Sequence, residues 1–220
     1  MDKRQKERSP ILNDEGMLTR FLTRLCDLII LNLIWMACCL PIVTAGAATS
    51  ALYYTAMKMH GQEEGSILRT YFHGFRMNGA QATRLWLMEL AAAAVIGVDL
   101  WFGFQKITTA VGLLVLIAGV ALGLLLLCES IWLFPLQARF QNTDVGHIKN
   151  AMALFRLHIP HSLLVALIWI LPLALSLAAT EIQYILFWLW LTCGFASLFY
   201  LCAYFFRNDF DRIQMENALK

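Results

Sequence analysis

Long runs of predominantly apolar residues are the feature that most constrains the fold of this chain. The first run, residues 25–43, holds nineteen residues, which as a helix rising about 1.5 Å per residue cross about 30 Å of hydrocarbon. Apolar residues make up 60% of the chain and charged residues 15%, whereas soluble domains carry about 25% charged residues. Because the runs are continuous rather than alternating, they predict membrane-spanning helices and exclude a membrane barrel.

The apolar runs predict an all-α, polytopic bundle of about six spans in a single integral membrane domain, 1–220. One segment is short and rich in Ala, Ser, Thr and Tyr, and it follows a turn marked by Pro41 and Gly46. It is either a short sixth span or the return limb of a re-entrant hairpin. The predicted spans are residues 25–43, 46–59, 85–104, 107–136, 162–179 and 182–206.

The distribution of the seventeen Lys and Arg residues predicts the orientation of the spans. The loop near Lys106 holds one basic residue and the loop 180–183 holds none. Basic residues accumulate on the cytoplasmic side of membrane proteins. We therefore expect a multi-pass protein of the cell membrane with both termini in the cytoplasm. The leader 1–24 and the tail 207–220 are its cytoplasmic ends, and the segment 46–59 then crosses as a short span.

Two of the predicted cytoplasmic segments, 64–78 and 144–158, carry apolar residues on one helical face and basic residues elsewhere. Helices of this kind lie well at an anionic membrane surface. Each segment is followed by a predicted span. The two segments with their spans are therefore either copies of one duplicated unit or similar by chance. The two helices either complete the bundle at the headgroups or form a docking face for another protein. The candidate residues of that face are Arg69, Arg76, Lys149 and Arg156.

Polar side chains at membrane depth are the other candidate functional residues. Ionised carboxylates in a bilayer are costly and commonly face the bundle interior or water. Glu129 lies ten residues from Arg139 and is expected to be the most buried of them. Glu89 and Glu129 either hydrogen-bond to Ser130, Asn32 or Gln81, or line a path for a proton, cation or solute. The candidates are Asn32, Glu89, Asp99 and Glu129.

The sequence shows no motif of an enzyme such as Walker A, HExxH or GxSxG. We expect no catalytic, cofactor-binding or metal-binding residues. His158 and His161 are three positions apart but straddle Pro160, which argues against a shared helical face. All six cysteines lie in apolar runs and are expected to be packing residues at helix contacts. The basic residues follow the predicted topology, so we expect no binding of nucleic acid.

Several blocks of this sequence resemble the YesL-like family of small bacterial integral membrane proteins. They are NLIWMACCLPIVTAGAATSALYYTAMKM (32–59), EEGSILRTYFHGFRMNGAQAT (63–83), LFPLQARF (133–140) and IKNAMAL (148–154). The function of the family is unknown, but its members are commonly encoded beside carbohydrate ABC transporters and their sensor kinases. The resemblance implies a non-enzymatic accessory or regulatory component of carbohydrate transport. Its partners would be membrane lipid and either transporter subunits or a sensor kinase. The alternative is a small solute or ion transporter that uses the intramembrane carboxylates.

Overall fold

The computed structural model of the protein describes residues 10–61, 65–178 and 180–218, and nearly all of these are helical. The all-α bundle predicted from the sequence is confirmed. A 3-10 turn, Ile42–Thr44, joins the first two helices, and a π-helical turn, Trp190–Gly194, joins the last two. The helices are α1 (Pro10–Cys39), α2 (Ala45–Gly61), α3 (Ile67–Gln105), α4 (Ala110–Arg139), α5 (Asp144–Leu157), α6 (Ile159–Ala178), α7 (Thr180–Leu189) and α8 (Phe195–Ala218).

Within the described ranges, four helical stretches are long and apolar enough to cross a membrane. A fifth candidate is the pair formed by α5 and the first part of α6, which is bent by 98°. The chain is therefore a multi-pass helical membrane protein. The four stretches are Leu18–Cys39, Ile67–Gln105, Ala110–Arg139 and Gln183–Met215.

The short segment predicted at 46–59 forms α2, a helix of 17 residues at the centre of the bundle. Pro41 precedes the 3-10 turn, and the Thr44 amide donates to its carbonyl oxygen at 3.0 Å. Eleven of the residues of α2 are buried, and the helix packs against α3, α4 and α8. Small residues let helix backbones approach closely, which explains why this segment is poor in large apolar side chains.

Helix α3 differs from the prediction, because the surface helix 64–78 and the span 85–104 are parts of one continuous helix of 39 residues. Residues 62–64 lie outside the described ranges. A helix satisfies its own backbone hydrogen bonds whatever its side chains, so the polar residues between 79 and 84 do not interrupt it. At about 1.5 Å per residue, α3 is roughly 58 Å long.

The second predicted surface helix, by contrast, is a separate element. The Thr143 side chain accepts a hydrogen bond from the Gly146 amide and so caps the start of α5. The chain then bends by 98° between α5 and α6. Pro160 lies in the first turn of α6, where the missing N–H costs no helical hydrogen bond. Since α3 continues through this region as one helix and α5–α6 is bent, the structure does not reproduce the suggested duplicated unit.

The last predicted span, 182–206, comprises most of α7, the π-helical turn and the first half of α8. The predicted tail continues α8 as far as Ala218, while residues 219–220 and the first nine residues of the leader lie outside the described ranges. Aromatic rings of α8 pack into the core in edge-on contacts. The centroids of Trp132 and Phe206 are 4.8 Å apart and those of Tyr53 and Phe199 are 4.9 Å apart. The core therefore lies between α2, α4 and α8.

The cysteines hold free thiols, but they do not all serve the packing role expected of them. Cys202 is fully buried in the core, whereas Cys26 is exposed on α1. An exposed position on a spanning helix faces lipid, where a small polarizable side chain is as acceptable as an aliphatic one. The expectation of packing at helix contacts is wrong for Cys26.

Candidate functional site

Glu89 is the most buried of the three intramembrane carboxylates, with 8% of its surface exposed. The Ser130 hydroxyl on α4 donates a hydrogen bond to Glu89 Oε1 at 2.7 Å, one of the hydrogen bonds predicted from the sequence. Glu129 and Asp99 are only half-buried, so the expectation that Glu129 is the most buried is wrong. Position along a helix axis fixes depth in the membrane, but successive side chains point about 100° apart around the axis. Ser130 therefore faces α3 and Glu129 does not.

Asn32 is fully buried, and its side chain holds the π-helical turn. Its Nδ2 donates to the carbonyl oxygens of Trp190 at 3.1 Å and Leu191 at 3.0 Å, and its Oδ1 accepts from the Ala196 amide at 3.0 Å. The expectation that Asn32 pairs with Glu89 or Glu129 is therefore wrong. A π-helical turn interrupts the regular backbone pairing, and in a membrane the freed groups need a partner within the protein. Asn32 supplies that partner.

A buried polar network that the sequence reasoning missed joins α2, α3 and α4. The Ser50 hydroxyl donates to the side-chain oxygen of Gln137, and Gln137 Nε2 donates to the backbone oxygen of Asn78 at 3.1 Å. Ser50 and Gln137 are almost fully buried. The feature of the sequence that could have predicted this network is the single amide side chain of Gln137 in an otherwise apolar stretch of α4. Satisfied buried networks fix the relative positions of the helices that carry them.

Two of the predicted docking residues lie on α3 and two on α5, and these helices are tied together at Asp144. The Asp144 carboxylate accepts from Arg84 Nε at 3.0 Å and from Gln81 Nε2 at 2.8 Å. These hydrogen bonds, from Arg84 and then Gln81, lower the pKa of the Asp144 carboxyl below its ordinary value. The docking residues themselves are all exposed; we call them the basic surface: Arg69, Arg76, Lys149 and Arg156.

Two other basic residues, Arg139 of α4 and Arg207 of α8, make contacts within the bundle. Arg139 Nη2 lies 2.7 Å from Asp211 Oδ1, and Arg207 Nε lies 3.4 Å from the other oxygen of that carboxylate. Arg207 Nη1 also donates to the Met57 carbonyl oxygen at 3.0 Å. These contacts join α2, α4 and α8. Arg139 and Arg207 therefore help to hold the helices of the bundle together.

His158 and His161 both approach Asp209 of α8. His161 Nδ1 lies 2.8 Å from Asp209 Oδ2, and His158 Nδ1 lies 3.6 Å from Asp209 Oδ1. The two imidazole rings are 6.0 Å apart and almost parallel, at 13°. His158 lies between α5 and α6, so the two histidines do not share one helical face, but both imidazoles nevertheless approach the same carboxylate. The sequence reasoning missed Asp209, which lies 48 positions after His161.

An apolar cavity of about 360 Å³ opens between α2, α4, α6 and α8. Its lining is aromatic and aliphatic apart from two hydroxyl side chains, Thr49 and Ser130. Glu89, Asp99 and Glu129 do not line it. Three of its aromatic lining residues are Tyr53, Trp169 and Phe199. The cavity offers an apolar chain a place to lie, but it does not place a carboxylate on a path for a polar solute.

Comparison with known proteins gives one family match. The model of a family described as "Protein of unknown function, DUF624" matches residues 28–100, which run from the middle of α1 through most of α3. That family includes YesL-like proteins. The chain matches no curated protein and no solved structure. The part of the chain that resembles this family thus contains Asn32, the turn at Pro41, and Glu89, in a multi-pass helical membrane protein.

Proposed function

We propose that this protein is a non-enzymatic accessory or regulatory component of carbohydrate ABC transport, as the resemblance to the YesL-like family implies. The observation that carries the proposal is the basic surface, whose four cationic side chains are exposed on two helices joined at Asp144. In the predicted orientation this surface faces the cytoplasm. Exposed, oppositely charged patches increase the rate and specificity of protein association. The expected partner is an acidic face of a transporter subunit or of a sensor kinase.

The bundle interior favours this role over the alternative of a solute transporter. Glu89 accepts a hydrogen bond from Ser130, and the Asn32 side chain forms hydrogen bonds with three backbone groups. The core between α2, α4 and α8 is filled with aromatic and aliphatic side chains. A transport path requires polar groups that line a hydrated cavity. The polar side chains named here are instead used to hold helices together.

The proposal is tested by isolating the tagged protein with its partners from native membranes, after brief chemical cross-linking and in mild detergent. We expect subunits of a carbohydrate ABC transporter, or its sensor kinase, to co-purify. The double variant Lys149→Glu, Arg156→Glu reverses two charges on α5 and should reduce the recovered partner at least about tenfold, since like charges across an interface cost several kcal/mol.

The matched control is Lys106→Glu, which reverses an exposed charge at the far end of α3 and should leave co-purification unchanged. Isolation of the protein alone, under conditions that keep the transporter itself intact, contradicts the proposal. Equal recovery with the α5 variant and the control also contradicts it. Solute flux in reconstituted vesicles that Glu129→Gln abolishes would instead establish the transporter.

A further inference from the structure

A cluster of two imidazoles and one carboxylate lies where the α5–α6 bend meets α8. His158 follows the last residue of α5, His161 lies in the first turn of α6, and Asp209 belongs to α8. One ligand atom from each residue can be chosen so that all three lie within 4.8 Å of one another. Two neutral imidazoles and a carboxylate are a common ligand set for divalent transition metals.

The distances between these groups suit a shared metal ion. Metal–nitrogen and metal–oxygen bonds of about 2.1 Å at tetrahedral angles place two ligand atoms roughly 3.4 Å apart. The observed separations are 3.6 Å between His158 Nδ1 and Asp209 Oδ1, and 2.8 Å between His161 Nδ1 and Asp209 Oδ2. One separation is slightly longer and one shorter than the ideal value. Because the two nitrogens face different oxygens of the carboxylate, a single ion would be bound either by both oxygens or, after side-chain rotation, by one of them.

The burial of Asp209 also requires a positive charge nearby. Only 1% of this residue is exposed, and burying an ionised carboxylate is costly unless it is paired or bound to a metal. In the described part of the chain, its ion-pair partners are His158 and His161. A divalent ion held between the three groups would supply that charge to the carboxylate. The His161 side chain is 40% exposed, so an ion can reach the cluster from solvent.

Neighbouring side chains hold His158 in place. The Trp132 indole N–H donates to Ser162 Oγ at 2.7 Å, and that hydroxyl donates to the His158 carbonyl oxygen at 3.0 Å. The Trp132 ring also packs against the His158 imidazole, with 5.5 Å between centroids. Trp132 and Ser162 are almost fully buried. Surrounding contacts that orient the ligands are typical of metal sites in proteins.

We propose that His158, His161 and Asp209 form a binding site for one divalent transition metal ion of the Zn²⁺ type. The three side chains supply three ligands, and a water molecule completes the tetrahedron. The bound ion joins the α5–α6 bend to α8. This assignment departs from the expectation of no metal ligands, and it does not depend on the proposed role in carbohydrate transport.

The test uses the full-length protein in mild detergent, freed of metal with a chelator and then titrated with Zn²⁺ in competition with a chromogenic zinc indicator. We expect about one zinc ion per chain, confirmed by elemental analysis after gel filtration. His161→Ala and Asp209→Asn should each weaken binding by at least about tenfold. The control is His73→Ala, which removes an exposed histidine of α3 and should leave the affinity unchanged.

A second measurement separates loss of the site from loss of the fold. Co²⁺ bound by nitrogen and oxygen ligands gives visible d–d absorption without the near-ultraviolet charge-transfer band of thiolate ligation. We expect that spectrum from the unaltered protein and from His73→Ala, and its loss in His161→Ala at unchanged helical circular dichroism. Absence of stoichiometric Zn²⁺ binding overturns the proposal, as does equal affinity in His161→Ala and the control.

Discussion

Asn32 donates a hydrogen bond from Nδ2 to the carbonyl oxygen of Leu191 over a distance of 3.0 Å, although 159 positions separate the two residues. The bond ties α1 to the π-helical turn before α8. The same amide group also donates to the carbonyl oxygen of Trp190 at 3.1 Å. Two backbone oxygens of the π-helical turn thus accept hydrogen bonds from one side chain of the first helix.

Replacing Asn32 with Leu is expected to destabilise the bundle. Three interhelical hydrogen bonds are lost, and such bonds in membrane proteins average about 0.6 kcal/mol each. We therefore expect a loss of about 2 kcal/mol, measured as unfolding of the purified protein by denaturing detergent. Asn150→Leu, at an exposed position on α5, is the control and should change stability little. Equal stability of the two variants would show that Asn32 does not hold the turn.

Gly46 lies where α2 packs tightly against α3. A Cβ atom at this position would lie 2.6 Å from the backbone oxygen of Ala82 and would overlap Cβ of Trp86. Gly46→Ala should therefore lower the free energy of unfolding by about 1–3 kcal/mol, the usual cost of overpacking. Gly97→Ala is the matched control, because nothing lies within 4 Å of its added Cβ, and it should stabilise α3 by about 0.5–1 kcal/mol. A neutral Gly46→Ala would contradict the close crossing.

His147 makes stability depend on pH. Its ring is fully buried, and neither ring nitrogen has a hydrogen-bond partner in the described part of the protein. Burial lowers the pKa of this imidazole below its ordinary value, against a smaller opposing effect of Asp144. The unfolded chain therefore binds the proton more readily. The stability that the neutral ring contributes is fully present above about pH 6.5 and is lost as pH falls through the lowered pKa.

The measurement is the melting temperature of the unaltered protein and of His147→Leu between pH 8 and pH 5. We expect the melting temperature of the unaltered protein to fall more steeply below about pH 6.5 than that of the variant. His73→Leu removes an exposed histidine and should keep the steeper slope. Parallel curves for His147→Leu and the unaltered protein would exclude His147 as the source of the pH dependence.

The Arg84–Asp144 ion pair is expected to fasten the start of α5 to α3. Arg84 lowers the pKa of Asp144, so the contribution of this pair is present above about pH 4 and is lost as pH falls through the lowered value. Arg84→Ala should increase amide hydrogen exchange in the first turns of α5 with little effect elsewhere, since an exposed pair contributes little to global stability. Arg76→Ala, an exposed arginine of the same helix, should leave that exchange unchanged. Unchanged exchange in Arg84→Ala would show that the pair is not required.

Hydropathy and amphipathic spacing were sufficient to locate two helices within a few residues. The predicted span 107–136 corresponds to α4, Ala110–Arg139, and the predicted surface helix 144–158 corresponds to α5, Asp144–Leu157. The apolar pattern indicates where a segment enters lipid or the protein core. In these two helices, that boundary coincides with the end of the helix. In α3 it does not, because the polar residues before position 85 continue the same helix. Hydropathy alone cannot distinguish a helix that ends at the membrane surface from one that extends beyond it.

The partners of the polar residues were the harder part to predict. The Ser130–Glu89 bond joins neighbouring antiparallel helices, so adjacency along the chain was enough to suggest it. The pairing of Asn32 with the π-helical turn links α1 to α8 and depends on the packing of the whole bundle. Asp209 reaches the two histidines only because the chain bends by 98° before α6. No periodicity in the sequence encodes that angle.

The length of α3 has a mechanical consequence. A helix of roughly 58 Å is nearly twice the thickness of the hydrocarbon layer, about 30 Å. An uninterrupted hydrogen-bonded rod of this kind tilts as a unit, and a tilt of about 5° at one end displaces the other by roughly 5 Å. A displacement of the helix at Arg76 therefore also moves Glu89, which belongs to the same continuous helix. A molecule that binds the exposed part of this helix can thus shift the part in the membrane without local unfolding.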